Sequence, residues 1–390
     1  MSKWKKVKLG DYCEITSSKR CLASVRSKNG IPFFCSKEII CLDKGEDFEP
    51  TDFIPEELYN DIKAKYGVPT GGDLLLTTRG TNGIPYIYKP SDKFYFADGN
   101  LSWFKNFGKE LSPQYLYYWF KSPLGIHEVD AISKGTAQKA VPIDGLRRIV
   151  LLTPSLHTQN RIVVILSRYD SLIENYQKQI KLLEEAAQRL YKEWFVDLHF
   201  PGHENTNIID GVPEGWEKKS VDSIYNIKYG KNLSTKLITE TGFYPVYGAN
   251  GVIGYYDKAN CNEQVVLITS RGNGSGDVLM TYHKDAFITN NSFIVTPSEG
   301  FEYCKLPFTF QFLKMANFRA VRTGAAQPQL TNQSIHTVDV ILPNKNLIEK
   351  FCSATIGMND TIIKYREQIR LLTEARDRLL PKLMSGEITI

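Results

Sequence analysis

The sequence predicts an α+β protein organised as a pseudo-two-fold tandem repeat, with two mixed α/β modules at opposite ends of an antiparallel two-helix coiled coil. Three observations carry that expectation. The first is a gapless internal match between residues 135–195 and 324–384, always 189 residues apart. At that offset Ala137, Gln138, Pro154, Ile173, Tyr176, Ile180, Leu183 and Leu190 recur as Ala326, Gln327, Pro343, Ile362, Tyr365, Ile369, Leu372 and Leu379. Chance does not hold register over so long a stretch, so the chain is a duplication. The second is a looser match of the fronts. Trp4, Leu9, Ile15 and Lys19 correspond to Trp216, Val221, Ile227 and Lys231 at an offset of 212, which drops to 192 at Leu76-Thr77-Thr78-Arg79-Gly80 and Ile268-Thr269-Ser270-Arg271-Gly272. The first copy therefore carries about twenty extra residues between Lys19 and Arg79. The third is the heptad pattern that closes each copy.

In residues 154–202, Ile173, Ile180, Ala187 and Trp194 are spaced by seven, as are Tyr176, Leu183 and Leu190, with charged and amide residues between them. Residues 343–390 repeat the pattern through Ile362, Ile369 and Leu383 and through Tyr365, Leu372 and Leu379, with Arg376 in place of an apolar residue. A narrow apolar seam needs a partner. The expectation is that the two helices are each other's partner, antiparallel because of the short link from Phe200 to Trp216; the alternative is that each helix packs only on its own module. About forty residues at ~1.5 Å each give a strut of roughly 60 Å, long enough to bracket the ~34–36 Å at which equivalent faces of duplex DNA recur once the modules' widths are allowed for.

The fronts, residues 1–153 and 203–342, read as short strands and turns with occasional helices. Gly83–Tyr88, Phe94–Phe96 and Gln264–Ile268 have strand character, and Pro113–Phe120 and Pro307–Leu313 open on prolines suited to a first helical turn.

A chain of 390 residues with 42% hydrophobic content has room for two ordinary cores. Seven cysteines, without a Cys-x-x-Cys pair and with no apolar leader ahead of Trp4, point to unpaired thiols in the cytoplasm. No apolar run approaches the ~20 residues of a membrane span. The formal charge of +5 leans toward a polyanionic partner.

Catalytic patterns fail on inspection. Gly230-Lys231 continues with Asn232, not Ser or Thr, and Gly272-Asn273-Gly274-Ser275-Gly276 lacks the later glycine of a dinucleotide fingerprint. There is neither a Gly-x-Ser-x-Gly elbow nor a metal-spaced His/Cys group. His199 and His203 are separated by Pro201-Gly202, which breaks the helix that would align them. Asp210, Glu217 and Lys219 match the degenerate acidic pattern of metal-dependent nucleases only loosely, and an ordinary charged strand start explains them as well. No Asn-Pro-Pro-aromatic motif of the kind used by amino-methyltransferases is present. Neither catalytic nor metal-binding residues are expected.

The order of variable module, fixed helix, variable module and fixed helix resembles the specificity subunit of type I restriction-modification enzymes. Val212-Pro213-Glu214-Gly215-Trp216, Thr77-Thr78-Arg79-Gly80, Gly135-Thr136-Ala137-Gln138, Pro154 followed by Gln159 and Ile162, and the stretch from Glu174 to Leu190 are similar to positions recurring in that family. One departure is Ile348, which stands where the first copy has Gln159. The resemblance implies a DNA-recognition subunit without activity of its own. Each target-recognition domain would read one half of a split, asymmetric site in double-stranded DNA, and the helix pair would set the spacer. The helices would also dock two modification (methyltransferase) subunits, which carry S-adenosylmethionine; restriction/translocase subunits would bring ATP and Mg2+. No cofactor is expected on this chain. The alternative is a tandem protein-binding adaptor dimerising through its helices; a subunit of a fused nuclease-methylase system is a further possibility.

Candidate DNA contacts follow from position. Arg79 and Arg271 each end an apolar strand before a glycine turn, suited to a guanine edge or a phosphate, or to tying the turn to a nearby carbonyl. Lys19, Arg20, Lys134, Lys231 and Arg322 are candidate phosphate contacts. Gln138 and Gln327 are candidate base contacts, although their identity in both copies favours a shared structural role.

Overall fold

The computed structural model describes residues 4–135, 139–324, 328–388 and 390. They fall into two compact units, Met1–Asn175 with Ile369–Ile390, and Tyr176–Gln368.

The first module comprises β1 (Lys5–Lys8), β2 (Glu14–Thr16), β3 (Ile31–Phe34), α1 (Ser36–Lys44), β4 (Phe53–Ile54), α2 (Glu56–Tyr66), β5 (Leu74–Thr77), β6 (Pro85–Ile87), β7 (Tyr95–Phe96), β8 (Leu101–Lys105), α3 (Pro113–Lys121), α4 (Pro123–Ile132), α5 (Ile143–Arg148) and β9 (Val150–Thr153), followed by the long helix α6 (Leu156–Tyr191). The second comprises β10 (Ile208–Ile209), β11 (Val212–Pro213), β12 (Glu217–Ser220), α7 (Val221–Ile224), β13 (Tyr225–Tyr229), β14 (Tyr244–Gly248), β15 (Gly251–Tyr256), β16 (Val266–Thr269), β17 (Val278–Met280), β18 (Phe287–Ile288), β19 (Ser292–Pro297), α8 (Leu306–Met315), α9 (Asn332–Ile335) and β20 (Asp339–Leu342), followed by α10 (Lys345–Ser385).

The two modules share one topology. An antiparallel sheet in the order β2-β8-β5-β6 corresponds to β13-β19-β16-β17. A second sheet, β4-β3-β7, corresponds to β15-β14-β18, each with one antiparallel and one parallel pairing. The strands β1 and β9 pair antiparallel, as do their counterparts β12 and β20, so in each module an early strand meets the last one at the foot of its helix. The extra residues of the first copy now have a place. They form α1 and α2, on either side of β4, whereas β14 and β15 are joined by the two-residue turn Ala249-Asn250.

Local chemistry explains the elements. The run Leu74-Leu75-Leu76 is buried on both faces of its strand, as the unbroken apolar sequence requires. The helix α3 starts on Pro113, and the Ser112 hydroxyl accepts from the Tyr115 N–H at 3.4 Å. All seven cysteines are free, and burial pushes the Cys13 and Cys304 thiols up to about 12, so they act as small apolar fillers.

Each module's core is closed by both long helices. In the first unit Val7, Leu9, Phe104, Tyr115 and Leu151 pack in one cluster with Ile162 and Leu166 of α6 and with Leu380, Leu383 and Met384 of α10. In the second, Val221, Phe293, Phe308 and Leu342 pack with Tyr191, Phe195, Leu347, Ile348 and Phe351. The segment containing Val212–Trp216 caps the end of α6: the Trp216 ring lies 6.0 Å from Phe195 and 5.6 Å from Phe200.

Within each unit the helices run antiparallel. In the second unit Tyr176 meets Tyr365 with ring centroids 4.8 Å apart, and Tyr191 meets Phe351 at 5.8 Å. Ile173, Ile180 and Ile362 are buried, and Tyr176, Leu183, Leu190, Tyr365, Ile369, Leu372 and Leu379 are half-buried. Toward the end of α6 the heptad extrapolation fails, burial passing from Ile180 to Tyr191 and Phe195 and leaving Leu190 and Trp194 only half-buried; in the second copy the heptad position Leu383 is buried as expected, together with Leu380 and Met384, while Leu379 is half-buried. In α6 an eleven-residue step replaces the heptad because the end of the helix packs on its module as well as on its partner: Tyr191 and Phe195 meet both Phe308 of α8 and Phe351 of α10. The first helix also ends earlier than Phe200, its α-helical bonding giving way at Tyr191 to a π turn, Lys192–Val196.

Two polar clusters punctuate this apolar packing. Arg376, the residue that interrupts the seam, donates to Asp170 at 2.7 Å, and the Tyr118 hydroxyl donates to the other Asp170 oxygen at 2.6 Å. Burial and this carboxylate push the Tyr118 hydroxyl far above the ordinary phenol range, so it remains a donor. In the second unit Arg366 donates to Glu184 at 3.0 Å while its guanidinium lies 3.6 Å over the ring of Tyr282, whose hydroxyl donates to Glu184 at 3.4 Å. At the repeat offset Asp170 corresponds to Asn359, Arg376 to Ala187, Glu184 to Thr373 and Arg366 to Gln177. The clusters are thus not copies of each other.

The departure at Ile348 also resolves. Gln159 is fully buried, donates to the carbonyls of Glu110 (2.8 Å) and Pro154 (3.0 Å), and accepts from the Ser112 N–H (2.9 Å), tying the start of α3 to α6. Ile348, equally buried, fills the corresponding place with apolar contacts.

The substitution Gln159→Leu leaves a buried N–H and two carbonyls without partners and lowers unfolding free energy by about 2–4 kcal/mol in chemical denaturation; a loss under ~0.5 kcal/mol contradicts the assigned bonds. Arg376→Ala costs about 1–3 kcal/mol, and a double-mutant cycle with Asp170→Asn gives a coupling above ~0.5 kcal/mol if the pair acts as described.

Candidate nucleic-acid interface

The repeated Thr-Arg-Gly and Ser-Arg-Gly segments sit at the C-terminal ends of β5 and β16, where each module builds the same backbone construction. The Thr78 N–H donates to the Asn100 carbonyl (2.8 Å) and its own carbonyl accepts from the Val141 N–H (2.9 Å). The Ser270 N–H donates to Asn291 (2.8 Å) and its carbonyl accepts from Leu330 (2.7 Å). Thr78 and Ser270 are buried by these bonds, and the next residue is driven outward. Arg79 and Arg271 are exposed, and among the described residues neither guanidinium has a hydrogen-bond or ion-pair partner. Gly80 (φ +84°) and Gly272 (φ +85°) follow in the left-handed region, where a side chain would be strained.

A second loop is clipped to this strand end. The backbones of Arg79 and Arg271 bridge to Ala140 and Gln329, which in turn bridge to Lys134 and Thr323. Lys134 and Ala140 exchange two hydrogen bonds (2.9 and 2.8 Å), as do Thr323 and Gln329 (2.9 and 2.8 Å). Lys134 is exposed, across Ala140 from Arg79. Its counterpart in the second copy is Thr323, not Arg322, which lies one residue earlier. Arg322 donates to the Asn273 carbonyl at 3.3 Å, so the carbonyl-tying role considered for Arg79 and Arg271 falls to Arg322. Gln138 and Gln327 lie outside the described residues.

The remaining candidates separate. Lys231 joins the edge: its N–H donates to Ile288, its carbonyl accepts from Asn290, and the Asn290 carbonyl accepts from the Ser270 hydroxyl at 3.1 Å, so Lys231 and Arg271 flank one turn. The Lys19 ammonium lies 5.0 Å over the Tyr66 ring of α2 instead. Arg20 faces Asp98 at 3.9 Å on the surface, a pair of little energetic weight. The edge therefore gathers Arg79 and Lys134 in the first module and Lys231, Arg271 and Arg322 in the second.

One element of this edge is absent from the candidates that the sequence supplies. The tip of the β14–β15 hairpin touches it, since the Thr269 hydroxyl donates to the Ala249 carbonyl at 2.7 Å. A signal for it exists: Asn250-Gly251 between two β-rich runs is a strong hairpin cue.

Comparison with known proteins decides what such a chain is. The family described as Type I restriction modification DNA specificity domain matches residues 1–185 and 213–366, one match on each repeat. The chain belongs to this family. It is similar to the type I restriction enzyme MjaIX specificity subunit of Methanocaldococcus jannaschii, with 27% identity covering 71% of this chain and 69% of that one. It is also similar to the type I restriction enzyme HindI specificity subunit of Haemophilus influenzae, with 22% identity over the whole of both chains. The crystal structure of a type I restriction-modification S subunit from M. genitalium has the same fold, with a TM-score of 0.58, 18% identity and 98% and 96% of the two chains covered.

As a specificity subunit the protein is a DNA-recognition component of a restriction-modification system that works with partner subunits and is not itself an enzyme; it binds no cofactor of its own. Among the described residues no helix is long and apolar enough to cross a membrane.

If the exposed strand-end arginine contacts DNA, Arg271→Ala weakens binding to the specific duplex by about 1–3 kcal/mol. Titration of the assembled complex with target duplex measures this, and unchanged affinity removes Arg271 from the interface.

Proposed function

We propose that the recognition domains 1–153 and 203–342 each read one half of a bipartite, asymmetric duplex site. The spacer segments 154–202 and 343–390 set the unread interval and dock two modification subunits. Those subunits carry S-adenosylmethionine; restriction/translocase subunits bring ATP and Mg2+, and the complex works in the cytoplasm. DNA is held at the edge formed by Arg79 and Lys134 in one module and by Lys231, Arg271 and Arg322 in the other, with Lys19, Arg20, Gln138 and Gln327 as flanking candidates.

One observation supports this reading above the others. The same strand-end arginine, glycine turn and clipped loop are built twice, with the arginines exposed and without a hydrogen-bond or ion-pair partner among the described residues, while the elements around them differ between modules. A protein that reads two different sequences with one kind of scaffold requires that combination. A protein-binding adaptor does not require exposed cations at both strand ends.

The test is to co-express the chain with the methyltransferase of its own locus and map N6-methyladenine across genomic DNA. The expected result is methylation at one split motif, of which only one half changes when residues 1–153 are exchanged for those of another specificity subunit. A soluble, co-purifying complex that adds no methylation and binds duplex without the steep salt dependence of phosphate contacts favours the adaptor.

A further inference from the structure

The two modules must differ where they read different bases, and the fold shows one place on the shared edge where they do. The connection from β3 to β4 is the helix α1, whose Ser36 hydroxyl donates to the carbonyls of Arg79 (3.0 Å) and Asn100 (3.1 Å). The equivalent connection from β14 to β15 is the two-residue turn Ala249-Asn250. At the same station beside the strand-end arginine, one module presents a helix and the other a hairpin tip.

We propose that the β14–β15 hairpin tip is the specificity-determining element of the second module, with Asn250 presented to a base edge in the major groove. The inference rests on the DNA-reading function proposed above and adds the residue that discriminates. The Asn250 side chain holds no part of the fold in place, because it is exposed and among the described residues it makes no hydrogen bond. Its backbone does not require asparagine either, because the left-handed position of the hairpin is Gly251 (φ +103°) and Asn250 is not in that region. A Cβ on Gly274 would come within 3.2 Å of Asn250 Oδ1 and 3.1 Å of Asp277 Oδ2, so the amide lies against the turn that follows Arg271 and glycine there accommodates it. The residues after the tip, Val252 and Ile253, are exposed aliphatic side chains next to this edge. A paired amide donor and acceptor matches adenine N7 and N6 in the major groove, and flanking aliphatic groups match a thymine methyl.

The experiment uses the full chain in complex with its methyltransferase, comparing Asn250→Ala with the unaltered protein on duplexes carrying every single-base change in both half-sites. The expected result is a loss of discrimination of about 5- to 100-fold at one adenine–thymine pair. That pair lies in the half-site that does not follow exchange of residues 1–153, and the other half keeps its full selectivity. Unchanged discrimination at every position, uniform weakening on all sequences, or an effect in the other half overturns the assignment of Asn250. Such failures leave the wider reading intact as long as the unaltered complex still methylates a split motif. Absence of any motif with the unaltered complex removes that reading and this inference together.

Discussion

Neither module can complete its core without both long helices. The sheet and helices of the first module leave an apolar surface that Ile162 and Leu166 cover from one helix and Leu380, Leu383 and Met384 cover from the other, at the far end of the second repeat. The contact extends to the end of the sequence, where Gly386 (φ +76°) lies so near Trp4 that a Cβ would come within 3.0 Å of the indole. Buried leucines contribute about 1.5–3 kcal/mol each, so these few positions outweigh anything a half-exposed two-helix seam contributes on its own. The antiparallel course of the helices, and the pairing of β1 with β9 and of β12 with β20 at a helix foot, follow from the need to bring distant apolar residues together.

A duplicated chain faces an ambiguity, because two related helices can pair with themselves as well as with each other. The polar clusters remove it. The carboxylates, Asp170 and Glu184, are on α6, and their guanidinium partners, Arg376 and Arg366, are on α10. The repeat counterparts are Asn359, Thr373, Ala187 and Gln177, so two copies of α6 would confront acids with neutral residues, and two copies of α10 would do the same with arginines. An unpaired, partly buried charge costs more than the pair contributes, which makes the clusters a device for choosing partners. Each is also anchored by a tyrosine of its own module, Tyr118 or Tyr282, so the choice of partner and the seating of the module are one interaction.

Much of this was legible in the sequence because duplication doubles every signal. The constant offset located both long helices, and the fall in offset located the insertion that the fold resolves into α1 and α2. What the sequence hid was direction. A heptad pattern says that Leu190 and Trp194 share a stripe with Ile180, but not that the end of the helix must pack on a module as well as on its partner, which rotates burial to Tyr191 and Phe195. At the edge, position after an apolar strand and before a glycine identified Arg79 and Arg271 as equivalent, but left open whether they face outward or tie the turn to a carbonyl. The same rule could not say that Arg322 would turn back to the Asn273 carbonyl or that Lys19 would lie over Tyr66, because both depend on loops contributed from far along the chain.

The construction at the strand ends explains why one scaffold can be used twice for different readings. The clip joining Thr78 to Asn100 and Val141, and Arg79 to Ala140, is made entirely by backbone N–H and carbonyl groups, and the second module repeats it through Ser270, Asn291, Leu330, Arg271 and Gln329. Backbone bonds are indifferent to side-chain identity, so the frame survives changes in the residues it displays. A side chain that held the frame together could not be altered without distorting it; Gln159, whose amide makes three buried bonds, is of that kind. A side chain displayed by the frame, such as Asn250 at a turn that needs only Gly251, can change freely. The sequence at the edge is thus separated from the sequence that builds it, and the difference between α1 and the β14–β15 turn is what such separation permits.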